Sequence, residues 1–223
     1  MLDSVVSVES GKLRGVGKDR YTLFKGVPYA APPVGRLRWK APQPTIPWKG
    51  VRDADLFGWR CPHAEHELGT FWQREFFTDP QFMPPMSEDC LYLNIWTPTS
   101  SVADKLPVAV YIHGGGFVEG SGCDSEFDGE ALCKQGLIMI TINYRLHALG
   151  FLAHHELTAE SGCSGNYGIL DQLAALQWVR HNVAAFGGDP DHVTIFGQSA
   201  GALSVQTIVS SPLSKGLVHG AIL

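Results

Sequence analysis

The chain has 223 residues, 44% hydrophobic and 17% charged, an ordinary globular composition with enough apolar material for one sizeable core. Its formal net charge of −5 comes from 17 basic and 22 acidic residues scattered in small groups. With no basic stripe to attract a phosphate backbone or an anionic lipid surface, nucleic acid and membrane partners are excluded.

The opening MLDSVVSVES carries acidic residues where an export signal needs positive charge, so a cytoplasmic location is expected. In the first forty residues, VVSV and KLRGV flank a Ser10-Gly11 turn and YTLFKGVPYA follows a polar break, which reads as an antiparallel β segment. From APPVGRLRW to about Ser87 the chain is rich in Pro, Gly and Trp without a sustained period, and a long ordered loop region is expected. LYLNIW (91–96), PVAVYIH (107–113) and LIMITINY (137–144) are short apolar runs that look like strands buried on both faces. Between Asn166 and Phe186 the spacing of Leu170, Leu173, Ala174, Leu176 and Val183 predicts an amphipathic helix stopped by Gly187-Gly188. VTIFG (193–197) is a further buried strand, running into GQSAG and the helical ALSVQTIVS. Strands alternating with helices, without an internal repeat, predict a single α/β domain over residues 1–223 with a mainly parallel central sheet. Ligands of such sheets bind at the carboxyl ends of the strands.

A serine hydroxyl is a poor nucleophile unless it is held exposed, beside a base, with amide donors aimed at the oxyanion formed on attack. In Gly-x-Ser-x-Gly the flanking glycines let strand and helix pass closely while the serine sits in strained backbone at the tip. Gly197, Ser199 and Gly201 fit that pattern, and the buried strand before them and helix after them supply the context that the pentapeptide alone lacks. His113-Gly114-Gly115-Gly116-Phe117 follows another strand; three successive glycines carry an entropic cost that presentation of bare N–H groups to an anion explains. The five cysteines are an odd number without a CxxC pair, so at least one stays unpaired and no zinc knuckle is indicated. His63 and His66 are three apart, and neither His66-Glu67 nor His155-Glu156 extends to HExxH, so no metal site is expected; no cofactor is implied either.

These motifs, with FKGVPYAAPPVGRLRW (24–39), SEDCLYLNIWTP (87–98), TINYR (141–145), GNYGILDQLAALQWV (165–179) and FGGDP, resemble the type-B carboxylesterases. That family has the α/β-hydrolase fold and includes the cholinesterases. The resemblance implies a serine carboxylesterase acting through an acyl-enzyme on a small-molecule ester. Ser199 is the implied nucleophile, with the Gly115, Gly116 and Ala200 amides forming the oxyanion hole. It further implies a disulfide between Cys61 and Cys90 and an ion pair between Arg38 and Glu88. Cholinesterases hold a choline cation on a tryptophan where this chain has Pro80, and carry a glutamate where it has Gln198; general uncharged esters are therefore expected as substrates. His147 stands where the family has a small residue after Arg-Leu.

The fold orders its triad Ser, then Asp or Glu, then His. After Ser199 the sequence holds His219 but no Asp or Glu, and LVHGAIL looks like another sheet strand, so His219 reads as structural. His113, His181 and His192 read the same way: loop, helix surface and the turn before a strand. The expectation is a C-terminally truncated domain, its later strands and helices missing and feebly active alone, with a second chain as the source of acid and base. The alternative is a non-catalytic fragment or interaction module of the same fold.

Overall fold

The computed structural model describes residues 4–65, 67–98 and 101–223. The entry segment is β-rich as the alternation requires: β1 (Val5–Val8) and β2 (Gly11–Arg14) form an antiparallel hairpin. β3 (Val16–Gly17) and β4 (Thr22–Pro28) form a second antiparallel pair. The Pro- and Gly-rich stretch that follows is mostly loop, interrupted by β5 (Val51–Asp53), which joins β2, and by the short helix α1 (Phe71–Phe76). Thr70 caps α1 by accepting a hydrogen bond from the Gln73 amide.

The apolar runs then fold in order: β6 (Tyr92–Thr97), β7 (Leu106–Ile112), the short helix α2 (Glu130–Cys133) and β8 (Ile138–Ile142). They are followed by α3 (His147–Phe151), α4 (His155–Ser161), α5 (Tyr167–Asn182), β9 (Gly188–Gly197), α6 (Ala200–Ser210) and β10 (Gly220–Ile222). The seven-stranded sheet runs β10-β9-β7-β8-β6-β4-β3. β10, β9, β7 and β8 are parallel, whereas β6 is antiparallel to β8 and β4 to β6. Parallel pairing thus holds across β10, β9, β7 and β8, and the N-terminal strands join the sheet antiparallel through β6, as expected.

Period-two alternation feeds two apolar layers. Val108, Val110 and Ile112 of β7 and Ile138, Ile140 and Ile142 of β8 face a core shared with Leu173, Val179, Val205 and Ile208 of α5 and α6. Tyr111 and Met139 point the other way, into a smaller cluster with Trp96 and Cys133. α5 differs from its expected amphipathic form. It is buried over most of its circumference, including the polar Asp171 and Gln172. Gln172 Nε2 donates to the Ser204 hydroxyl on α6 at 3.0 Å, while its buried Oε1 finds no hydrogen-bond partner among the described residues. Gly187, at φ +81°, ends the helical run and turns the chain into β9.

Candidate active site

β9 ends at Gly197 and α6 begins at Ala200, leaving Gln198 and Ser199 to reverse the chain. Ser199 has φ 55° and ψ −120°, a conformation L-residues rarely adopt and one that costs roughly 1–3 kcal/mol. Close packing enforces it. A Cβ on Gly201 would lie 2.0 Å from the Ile112 carbonyl oxygen, so only glycine lets α6 cross the end of β7 here.

The Gly-rich loop leaves the adjacent strand, β7. Gly115 has φ +88°, and a Cβ there would sit 2.2 Å from the Glu119 carbonyl oxygen; the turn is closed by the Val118 and Glu119 amides, which donate to Gly115 O at 2.9 and 3.1 Å. Gly114 packs against the serine, since a Cβ on it would come within 3.2 Å of Ser199 Cβ and 2.4 Å of Gln198 Oε1. Among the described residues, no acceptor takes the amides of Gly115, Gly116 or Ala200. Gly115, Gly116 and Ser199 border a cavity of about 420 Å³, whose walls also include Phe77, Phe127 and Gln198.

Three further residues hold the loop. His113 is buried, its Nδ1 donates to Gly114 O at 3.0 Å, and its ring stacks on Tyr144 with centroids 4.3 Å apart. Burial pushes its pKa down to about 4, so the ring is neutral near pH 7. Tyr144 returns a bond from its hydroxyl to His113 O at 2.9 Å. His147 sits at φ +37°; its amide donates to Phe117 O at 2.7 Å and its ring Nε2 to Pro62 O. It joins the glycine loop to the segment beginning at Cys61.

The implied Arg38–Glu88 pair is present and bidentate, both bonds at 2.6 Å. Cys61 and Cys90 are two buried free thiols, Cys90 hydrogen-bonded to Cys61, and the disulfide is not formed in this structure. Cys61 Sγ instead accepts the Leu146 amide at 3.3 Å. The other histidines stay apart from the serine. His219 hydrogen-bonds both backbone groups of Val193, midway along β9 and about 13 Å by strand rise before its end at Gly197. His181 is exposed and 3.4 Å from Glu9, His192 is exposed on β9, and His155 is exposed on α4. His63 rests on Cys61 O at 2.8 Å, while His66 lies outside the described residues. Pro80 opens an exposed 3-10 turn. Among the described residues, no three His, Cys, Asp or Glu side chains group as metal ligands, and no histidine bonds Ser199.

Sequence reasoning did not find Arg145 and Asp171, which form the buried ion pair behind the site. Arg145 N, Nε and Nη2 all donate to the Asp171 carboxylate at 2.7–3.1 Å, and Nη2 also reaches Lys40 O. Burial drives the Asp171 carboxyl up and opposes the Arg145 charge, yet the bonds to Asp171 leave Arg145 above its ordinary value. A charge in the middle of the apolar stretch that forms α5 was the available signal.

A model of the carboxylesterase family matches residues 2–223. Over 217 residues, 96% of the chain, it is 46% identical to a fumonisin B1 esterase of Sphingopyxis macrogoltabida, covering 38% of that protein. It is 43% identical to a para-nitrobenzyl esterase of Bacillus subtilis, with all of the chain and 44% of the relative covered. Among solved structures, a PNB esterase superposes with TM-score 0.87 at 42% identity, covering 98% of this chain and 43% of that one. A Geobacillus stearothermophilus carboxylesterase gives 0.85 at 43% identity, covering 98% and 42%. The chain therefore spans less than half the length of each.

Proposed function

The chain belongs to the carboxylesterase family, and from that premise we propose that Ser199 is the nucleophile of a carboxylic ester hydrolase. The observation that carries this is the serine held at positive φ between β9 and α6, directly against the glycine loop. Ser199 Oγ attacks the ester carbonyl carbon while a base takes its proton, and the carbonyl oxygen becomes an oxyanion. The unpartnered Gly115, Gly116 and Ala200 amides are the donors for that charge, with the positive end of the α6 dipole behind them. Collapse expels the alcohol and leaves an acyl-serine, which water cleaves.

With no histidine bonded to Ser199 among the described residues, we assign the base and its carboxylate to polypeptide beyond these 223 residues, in a continuing or a separate chain. Without them the serine retains at most roughly 10³–10⁴-fold acceleration from binding and the oxyanion donors. A cytoplasmic setting would keep Cys61 and Cys90 as thiols; oxidation of the adjacent pair would close the 61–90 loop.

The test is labelling of the purified chain with a fluorophosphonate probe, alongside hydrolysis of a short-chain aryl ester, for the native protein and Ser199→Ala. Serine-dependent labelling and turnover support the proposal. Labelling or turnover that survives Ser199→Ala refutes it, and a folded chain with neither, even in a protein extended to include the base and carboxylate, favours an interaction module.

A further inference from the structure

We propose that His147 is a positioning residue for ester hydrolysis, holding the Gly115 and Gly116 amides at the cavity through Phe117. This rests on the reading of Ser199 as an ester nucleophile and adds a residue that lies outside both glycine motifs.

Three consecutive residues of the glycine loop have positive φ: Gly115 at +88°, Gly116 at +61° and Phe117 at +64°. Glycine enters that region freely, but a bulky aromatic there is an outlier that its surroundings must hold. For Phe117 the first turn of α3 does so. The His147 amide donates to Phe117 O at 2.7 Å, and the Phe117 ring packs on that of Phe151 with centroids 5.0 Å apart. At the other end of the loop His113 Nδ1 donates to Gly114 O, so the two peptide groups carrying the Gly115 and Gly116 amides are bounded on both sides.

His147 is itself strained, at φ +37°. The small residue that the resemblance leads one to expect there could make the same amide bond, but it would have no ring to reach Pro62. In this chain ring Nε2 donates to Pro62 O, and the neighbouring Leu146 amide donates to Cys61 Sγ at 3.3 Å. The ring bond fixes the side chain and with it the backbone orientation that aims the His147 amide at Phe117 O. Strain of this kind persists where neighbours over-determine it, and here they do so from two separate segments. Oxyanion donors act mainly in the transition state, so loosening them lowers the rate of attack while leaving ground-state binding in place.

The experiment compares the native chain with His147→Gly, which relieves the strain and removes the ring, and His147→Gln, whose side-chain amide can still donate to Pro62 O. Hydrogen exchange needs no turnover: the Val118 and Glu119 amides both bond Gly115 O and therefore report the order of the loop. In His147→Gly these two amides should exchange about tenfold faster while those of β7 and β8 keep their native rates. Fluorophosphonate labelling of Ser199 should slow about tenfold at an unchanged half-saturating probe concentration, and His147→Gln should stay within about twofold of the native chain in both measurements. Native exchange at Val118 and Glu119 in His147→Gly, an acceleration spread evenly over the strands, or an undiminished labelling rate would overturn the proposal. Labelling that survives Ser199→Ala would instead count against the esterase reading, and the exchange rates judge the clamp without it.

Discussion

Ser199 and His147 both occupy backbone conformations that favour glycine, and both are held there by neighbours. For Ser199 the strain positions a hydroxyl at the cavity, so Ser199→Gly should abolish probe labelling while raising stability in urea by about 1 kcal/mol. His147 combines the same kind of strain with a ring bond to Pro62 O. His147→Ala loses the bond and keeps the strain, whereas His147→Gly loses both; the glycine variant should be the more stable of the two by about 1 kcal/mol. His113 gives a pH dependence. Its folded pKa, about 4, lies below the 6.5 of the free side chain, so the unfolded chain binds more protons between those values and stability falls as pH drops. From pH 7 to 5 the loss should be about 2 kcal/mol, and urea titrations of His113→Asn should lack that component.

Two contacts between elements carry the site's geometry. α6 crosses the end of β7 only because position 201 has no side chain, with the Ile112 carbonyl oxygen occupying that space. Gly201→Ala should therefore cost about 3 kcal/mol in chemical denaturation and also disturb the elbow, lowering probe labelling with it. Behind the glycine loop, Arg145 ties the segment after β8 to α5 through Asp171. Removing one partner strands a charge in the core, so Asp171→Asn should destabilise the protein by about 3–5 kcal/mol, readable as a large drop in urea midpoint. An exposed pair such as Arg38–Glu88 should matter far less, because solvent screens it.

At the scale of the molecule, β10 pairs with β9 alone among the described residues and stands at the sheet's edge, with Ile222 62% and Leu223 71% exposed. An uncovered apolar strand edge recruits other strands. The 223-residue chain should self-associate as its concentration rises in light scattering, and Ile222→Lys should suppress this. The strands, α5, α6, the Ser199 elbow and the glycine loop were all legible in sequence, since local periodicity and glycine placement are properties of short segments. So was the structural role of His219, because its flanking residues form a strand. The point at which pairing turns antiparallel, between β8 and β6, was not, since β6 reads as apolar whichever way its neighbour runs. The burial of α5 over most of its circumference escaped for a similar reason: Asp171 and Gln172 look like a solvent face until Arg145 and Ser204 arrive from elsewhere in the chain to pair with the Asp171 carboxylate and the Gln172 Nε2. Sequence alone thus located the serine turn and the glycine loop on which the proposed function rests. Tertiary structure decided what holds them, because the contacts that join His147 to Pro62 and Phe117, and Arg145 to Asp171, depend on packing between distant segments.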